Sequence, residues 1–93
     1  MISISIIIPI FNEEKTIKKI LEKINKIKNK VNLEIIVIND GSTDNSAKII
    51  DQNSNFFDKG KHLKNNLGKG KAIIEGLKIS SMDYIFLQDA DLE

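Results

Sequence analysis

Ninety-three residues, 41% of them hydrophobic and 29% charged, make one small folded domain or a piece of a larger one, and the composition excludes a disordered chain or a long apolar membrane span. A formal net charge of +1 and an aromatic content of 5% argue against a nucleic-acid partner, which would call for a basic field and stacking rings. Every one of the 14 basic residues is Lys, so a phosphate would have to be held by Lys, by backbone N–H groups or by a metal, never by a guanidinium fork. The absence of Cys excludes disulfides and thiolate metal sites. The single His62 cannot anchor a multi-histidine centre and reads as a loop or strand-edge residue.

In chain order, Ile2 to Ile8 alternates with Ser3 and Ser5 at first and then runs apolar up to Pro9, a first strand buried on both faces as a parallel sheet requires. It begins without a basic leader or small-residue cleavage site, which points to the cytoplasm. Asn12 suits a helix N-cap, followed by Glu13 and Glu14 at the positive end of the helix dipole. Ile17, Ile20, Leu21, Ile24 and Ile27 then recur at helical spacing, opposite a solvated face of Lys18, Lys19, Lys23 and Lys26.

A second strand, Leu33 to Ile38, stops at the turn Asn39-Asp40-Gly41. Ser42 or Thr43 can cap a second helix through about Asp51, and Asp44 serves its N-terminus. Phe56-Phe57 is a packing anchor before a third strand around Lys61 to Lys64. Asn65 to Gly70 form a turn, and a third helix follows with Ala72, Ile73, Ile74 and Leu77 toward the core. Tyr84-Ile85-Phe86-Leu87 has the aromatic and β-branched character of a buried fourth strand. The order β-α-β-α-β-α-β with short connections predicts an α/β, Rossmann-like three-layer fold with a mainly parallel sheet of about four strands.

In such open sheets ligands bind beyond the carboxyl ends of the strands, where the informative polar residues of this chain collect. Asn12 and Glu13 follow strand one, Asp40 follows strand two, Gly68 to Lys71 follow strand three, and Asp89 and Asp91 follow strand four. Asp89-Ala90-Asp91 sets two carboxylates at i, i+2 just past a strand, a donor pair suited to Mg²⁺ or Mn²⁺, whose shell substrate phosphates usually complete. Glu93 continues that series as a further candidate ligand. Asp40 can accept a hydrogen bond from a base N–H. The glycine loop Asn66 to Lys71 is neither a Walker A sequence nor a dinucleotide fingerprint, yet its N–H groups with Lys69 or Lys71 attract an anion. Each segment has a plain alternative as a turn or a cap.

Together the four segments resemble the nucleotide-binding half of the family 2 inverting glycosyltransferases, which have the GT-A fold. The likeness rests on Ile6-Ile7-Ile8-Pro9-Ile10-Phe11-Asn12-Glu13-Glu14, on Ile36-Val37-Ile38-Asn39-Asp40-Gly41-Ser42-Thr43-Asp44, on Asn66-Leu67-Gly68-Lys69-Gly70 and on Asp89-Ala90-Asp91. It implies a nucleotide-diphospho-sugar donor, with Pro9, Phe11, Glu13 and Asp40 lining the base and ribose pocket. Asp89 would lie near ribose or sugar and Asp91 would coordinate the metal on the diphosphate. Within the family, Leu87 to Glu93 looks closest to transferases that load a sugar onto a polyprenyl or dolichyl phosphate at the cytoplasmic face of the membrane.

Family members continue past this point into an acceptor-binding half, so residues 1–93 are expected to be a partial, donor-binding domain that is inactive or very weak alone. Its exposed sheet edge is expected to allow self-association. Two other readings stand beside this one: a non-catalytic nucleotide-binding module, and a ligand-free α/β fragment. Nucleotidyl transfer onto a sugar phosphate would want a glycine-rich basic loop after strand one, where Phe11-Asn12-Glu13-Glu14 is acidic.

Overall fold

A computed structural model describes residues 2–90. It contains β1 (Ser3–Ile10), α1 (Ile17–Asn25), β2 (Asn32–Asn39), α2 (Ser46–Gln52), a 3₁₀ turn (Ser54–Phe56), β3 (Lys59–His62), α3 (Lys69–Ile79) and β4 (Tyr84–Leu87). All pairings are parallel and the strand order is β3-β2-β1-β4, with Ile7 opposite Ile36 and opposite Leu87. The order reverses between β1 and β4, because α1 and α2 cover one face of the sheet and α3 the other. Such a switch opens a crevice at the carboxyl end of the strands.

Alternation along β1 and β2 divides the core in two. Ile6, Ile8 and Ile10 with Leu33, Ile35 and Val37 pack against Ile17, Ile20, Leu21 and Ile24 of α1 and Ile50 of α2. Ile7, Ile36 and Ile38 meet Ala72 and Ile79 of α3 on the opposite face. Both central strands are therefore apolar on both sides, as expected of a parallel sheet covered by helices.

Several boundaries differ from expectation, each for a local reason. Asn12 does not cap α1. It has φ 52°, a left-handed conformation that Asn tolerates better than most side chains. The chain then turns on the Glu13 carbonyl, which accepts from Thr16 N–H at 3.0 Å, and α1 begins only at Ile17. Its helical residues end at Asn25, so Ile27 is exposed rather than in the core. Ser42 and Thr43 do not cap α2. Asp44 does serve that end, its Oδ1 accepting from Ser46 N–H at 2.8 Å.

β3 starts two residues earlier than expected. Asp58 anchors its start by exchanging hydrogen bonds with Ile35, its N–H donating at 2.9 Å and its carboxylate accepting at 2.8 Å. On α3 the buried residues are Ala72 and Gly76, while Ile74 and Leu77 face outward. Gly76 lets the helix sit against the sheet: a Cβ there would lie 2.6 Å from Ile7 Cγ2.

β4 is not buried. It forms the sheet edge beside β1, and its four residues are 40–61% exposed. Apolar and β-branched character identified the strand, but burial needs a neighbour on the outer side, and among the described residues none pairs there.

At the amino end of the sheet, Glu34 of β2 is the main polar anchor. Its Oε1 accepts from Ser5 Oγ at 2.8 Å and Ser81 N–H at 2.9 Å, and its Oε2 from Ser81 Oγ at 2.7 Å and Lys59 Nζ at 2.9 Å. Lys59 also donates to the last carbonyl of α3, Ile79 O, at 2.7 Å. This network ties the α3–β4 turn to three strands. Burial alone would raise the Glu34 pKa, but the donors from Ser81, Lys59 and Ser5 outweigh it and hold the carboxyl at about 2 instead of 4.5.

Two expectations follow from this packing. A depressed carboxylate pKa stabilises the fold above its unfolded value and loses that contribution as pH falls through the folded one. Glu34 should therefore contribute on the order of 3 kcal/mol above pH 4.5, declining toward pH 2. Urea midpoints at pH 6 and pH 3 check this, and the Glu34→Gln variant should lose much of the difference. Gly76→Ala gains helix propensity but presses a methyl on the stiff, buried Ile7. It should lower Tm by roughly 5–10 °C in a thermal melt.

Candidate functional site

The crevice between β1 and β4 opens into a cavity of about 370 Å³, lined by Pro9, Ile10, Phe11, Glu13, Asp40, Asn66, Gly68, Lys69, Asp89 and Ala90. That volume lies within the range of small-molecule sites. Four segments build it, each following a strand or preceding a helix, and they are bonded to one another.

Asn12 joins the first loop to the second. Its Oδ1 accepts from Thr43 N–H at 2.7 Å and Asp44 N–H at 3.2 Å, while its own N–H donates to Ser42 Oγ at 3.0 Å. Glu13 N–H donates to Ser46 Oγ at 3.1 Å. Burial pushes the Asp44 pKa up, but hydrogen bonds from the Ser46 hydroxyl and N–H and from Glu14 N–H outweigh it, so the carboxyl is held below its usual range. These contacts hold the acidic segment after β1 at the mouth of the cavity, with Glu13 on its lining.

Asp40 joins the second loop to the third. It is only 3% exposed, and its carboxylate accepts from Leu67 N–H at 2.8 Å, Gly68 N–H at 3.0 Å and Asn66 Nδ2 at 3.2 Å. Its backbone N–H extends the sheet by donating to Ile10 O at 2.7 Å. The contact demands glycine next door. Gly41 has φ 66°, and a Cβ there would come within 2.4 Å of the Asn65–Asn66 peptide.

The fourth segment closes the ring. Thr16 Oγ1 donates to Ala90 O, and Lys69 at the start of α3 forms an ion pair with Asp89. Both partners are substantially exposed, at 61% and 48% of their side chains, so the pair adds little to stability. It does keep an ammonium and a carboxylate facing each other across the cavity wall.

Of the candidate residues read from sequence, Pro9, Phe11, Glu13, Asp40, Lys69, Asp89 and Ala90 all line this cavity. Lys71, two residues further along α3, is exposed and off the lining. Asp91 and Glu93 lie outside the described residues. Ile10, Asn66 and Gly68 line it as well; the asparagine and glycine belong to the glycine loop, and the fold shows that Asp40 draws them in. His62 ends edge strand β3, with Nδ1 at 2.9 Å from Asn39 Nδ2 and Nε2 at 2.8 Å from Asp51 Oδ1, a strand-end link away from the cavity.

Among the described residues no three carboxylate or imidazole groups converge on a point. Mg²⁺ and Mn²⁺ seldom need three, since one or two carboxylates suffice when phosphates supply the remaining ligands. Asp89 is one such carboxylate, on the lining of a cavity large enough for phosphates, and its oxygen donors suit a hard cation of this kind.

The architecture is that of an open α/β domain with a cavity of mixed apolar and charged lining at its topological switch point. The sequence pattern of glycosyl transferase family 2 matches residues 5–93, and the chain belongs to that family. It is 34% identical, over 97% of its length, to undecaprenyl-phosphate 4-deoxy-4-formamido-L-arabinose transferase of Proteus mirabilis, of which it covers 29%. Among solved structures, S. aureus TarS 1-349 in complex with UDP-GlcNAc superposes with a TM-score of 0.83 at 28% identity, over 97% of this chain and 27% of that one. Glucosyl-3-phosphoglycerate synthase from Mycobacterium tuberculosis, in complex with Mn²⁺, UDP and glucosyl-3-phosphoglycerate, gives 0.77 at 27% identity, over 95% of this chain and 33% of that one. The chain thus spans about a third or less of the length of these relatives, and the four parallel strands and three α-helices of the described residues have the GT-A arrangement.

The Gly41 contact generates a prediction. Gly41→Ala should cost roughly 2–4 kcal/mol, from left-handed strain plus the clash with the third loop. Hydrogen exchange should find the Leu67 and Gly68 amides deprotected relative to amides of β1. Unchanged protection at both would mean that Asp40 holds the loop without close approach at Gly41.

Proposed function

We propose that this chain is the donor-binding part of a glycosyltransferase that moves a sugar from a nucleotide-diphospho-sugar, with a UDP or GDP carrier, to an acceptor. The observation that carries the reading is the convergence of Pro9, Phe11, Glu13, Asp40, Lys69 and Asp89 on one cavity at the carboxyl ends of parallel strands, in a family 2 chain.

In this reading the base lies between Pro9, Phe11 and Asp40, with the Asp40 carboxylate accepting a base N–H. Lys69, with the free N–H groups at the start of α3, faces the diphosphate and offsets its charge. Lys71 acts at longer range from the same helix end. Asp89, Asp91 and, as a further candidate, Glu93 would hold Mg²⁺ or Mn²⁺ on the diphosphate. The bound cation supplies Lewis-acid stabilisation of the leaving nucleoside diphosphate. Glu13 orients ribose or sugar hydroxyls from the mouth of the cavity.

The Lys69–Asp89 pair has a clear part in this scheme. Without ligand the two charges neutralise each other, and on donor binding Lys69 turns to phosphate while Asp89 is freed for sugar and metal. The exchange costs little because both groups are already solvated.

The relatives' further length would carry the acceptor site, so transfer is proposed for the longer protein and binding for this chain. A polyprenyl phosphate is the favoured acceptor, supported by the undecaprenyl-phosphate transferase among the relatives, with a glycan as the second choice. The reaction would then run at the cytoplasmic face of a membrane. No described helix is long and apolar enough to cross one. The bare apolar edge of β4 would take another strand, from the longer protein or from a second copy.

Thermal-shift titration with UDP and GDP, with and without Mn²⁺, tests the reading. At 100 times its dissociation constant a nucleotide should add about 2.7 kcal/mol, several degrees for a domain of this size. The shift should depend on Mn²⁺ and be lost or strongly reduced in Asp89→Ala and in Asp91→Ala. A folded protein with no response to either nucleotide would sink the proposal.

A further inference from the structure

Resting on the donor site proposed above, we propose that Asn66 is a base-selecting residue that makes this site favour uracil over guanine. It does so through Asp40, by filling an acceptor position that guanine would need.

A carboxylate offers about four in-plane acceptor positions, two on each oxygen. In Asp40, Oδ1 accepts from Leu67 N–H at 2.8 Å, while Oδ2 accepts from both Gly68 N–H at 3.0 Å and Asn66 Nδ2 at 3.2 Å. Oδ2 is therefore full, and a single position remains, on Oδ1. The Asn66 amide is fixed by a second bond, from the same Nδ2 to the Asp40 carbonyl at 3.1 Å. Because the amide nitrogen points at Asp40, the side-chain carbonyl of Asn66 is turned away from that carboxylate and cannot replace the lost acceptor beside it.

Guanine presents N1–H and the 2-amino group side by side, and a carboxylate meets that edge with one free position on each oxygen. Asp40 has none on Oδ2, so one guanine donor stays unpaired in a carboxylate already 3% exposed. An unmet donor at a desolvated charged group is heavily penalised. Uracil has one imide N–H, which the single free position on Oδ1 satisfies. The two donors that crowd Asp40 from the backbone cannot be removed by substitution, but the Asn66 donor can. That makes Asn66 the adjustable element.

Hypoxanthine separates donor counting from base size. Inosine diphosphate has the purine bulk of GDP but lacks the 2-amino group, leaving one imide N–H. Dissociation constants for UDP, IDP and GDP should be measured by calorimetry with Mn²⁺ on this chain and on Asn66→Ala. In the unsubstituted chain GDP should bind roughly 10-fold or more weaker than both IDP and UDP, the ratio expected for one hydrogen bond to a charged group. In Asn66→Ala the IDP-to-GDP gap should close to within about 3-fold, mainly by tighter GDP binding.

Equal binding of IDP and GDP to the unsubstituted chain would overturn the inference while leaving the donor site standing, and so would an unchanged gap in a folded Asn66→Ala. Failure of all three nucleotides to bind would overturn the donor site and the inference together. The first comparison needs no variant, so the proposal is testable even if Asn66→Ala folds poorly.

Discussion

The upper half of this molecule depends on one buried carboxylate. Asp40 ends β2, and by accepting the Leu67 and Gly68 N–H groups it draws in the loop before α3. The start of α3 and Lys69 are set by that attachment, and with them the ion pair that reaches Asp89 across the crevice. The geometry works only because Gly41 has no side chain where the two loops touch. A turn sequence, Asn39-Asp40-Gly41, thereby becomes the hinge point of a cavity. The side chain faces the loop while the backbone continues the ladder to Ile10.

Topology accounts for the rest of the site. Strands β1, β2 and β3 follow one another outward, and then the chain crosses to the other side of β1 to form β4. Segments that leave the sheet on opposite sides of β1 cannot fill the space between them, so a crevice is unavoidable there. Asn12, in a left-handed conformation with its amide bonded to Thr43 and Asp44, keeps the first loop from collapsing into it. Cavity and loops are thus consequences of strand order as much as of the particular polar residues.

The fold class was legible from the periodicity of Ile and Leu, because a parallel sheet leaves long apolar strands and amphipathic helices in plain sight. Most of the cavity lining was legible too, since residues just past strand ends must gather at one end of such a sheet. What sequence could not supply was tertiary. Asn12 and Ser42 look like helix caps because capping and loop-bridging use the same short polar side chains, and only the fold shows that they bond to each other. Leu77 and Ile74 look like core residues on α3, but the helix approaches the sheet through Ala72 and Gly76. The apolar run of β4 reads as buried, and its exposure is a fact about neighbours rather than about the strand. Asn66 had no signal of its own, because its place is fixed by Asp40 from 26 residues away.

The two ends of β2 make the same physical device serve different purposes. At the amino end, Glu34 has every acceptor position occupied, by Ser5, by Lys59 and twice by Ser81. A carboxylate so saturated has nothing left to offer a ligand, and its work is to lock the α3–β4 turn to the sheet. At the carboxyl end, Asp40 is as deeply buried but one donor short. Both carboxylates are satisfied, but Asp40 retains acceptor capacity that one further N–H could use. Leu67, Gly68 and Asn66 take three of its positions, and Asp40 lies on the cavity lining. Counting acceptor positions and cavity exposure therefore separates the two carboxylates, where burial alone would class them together.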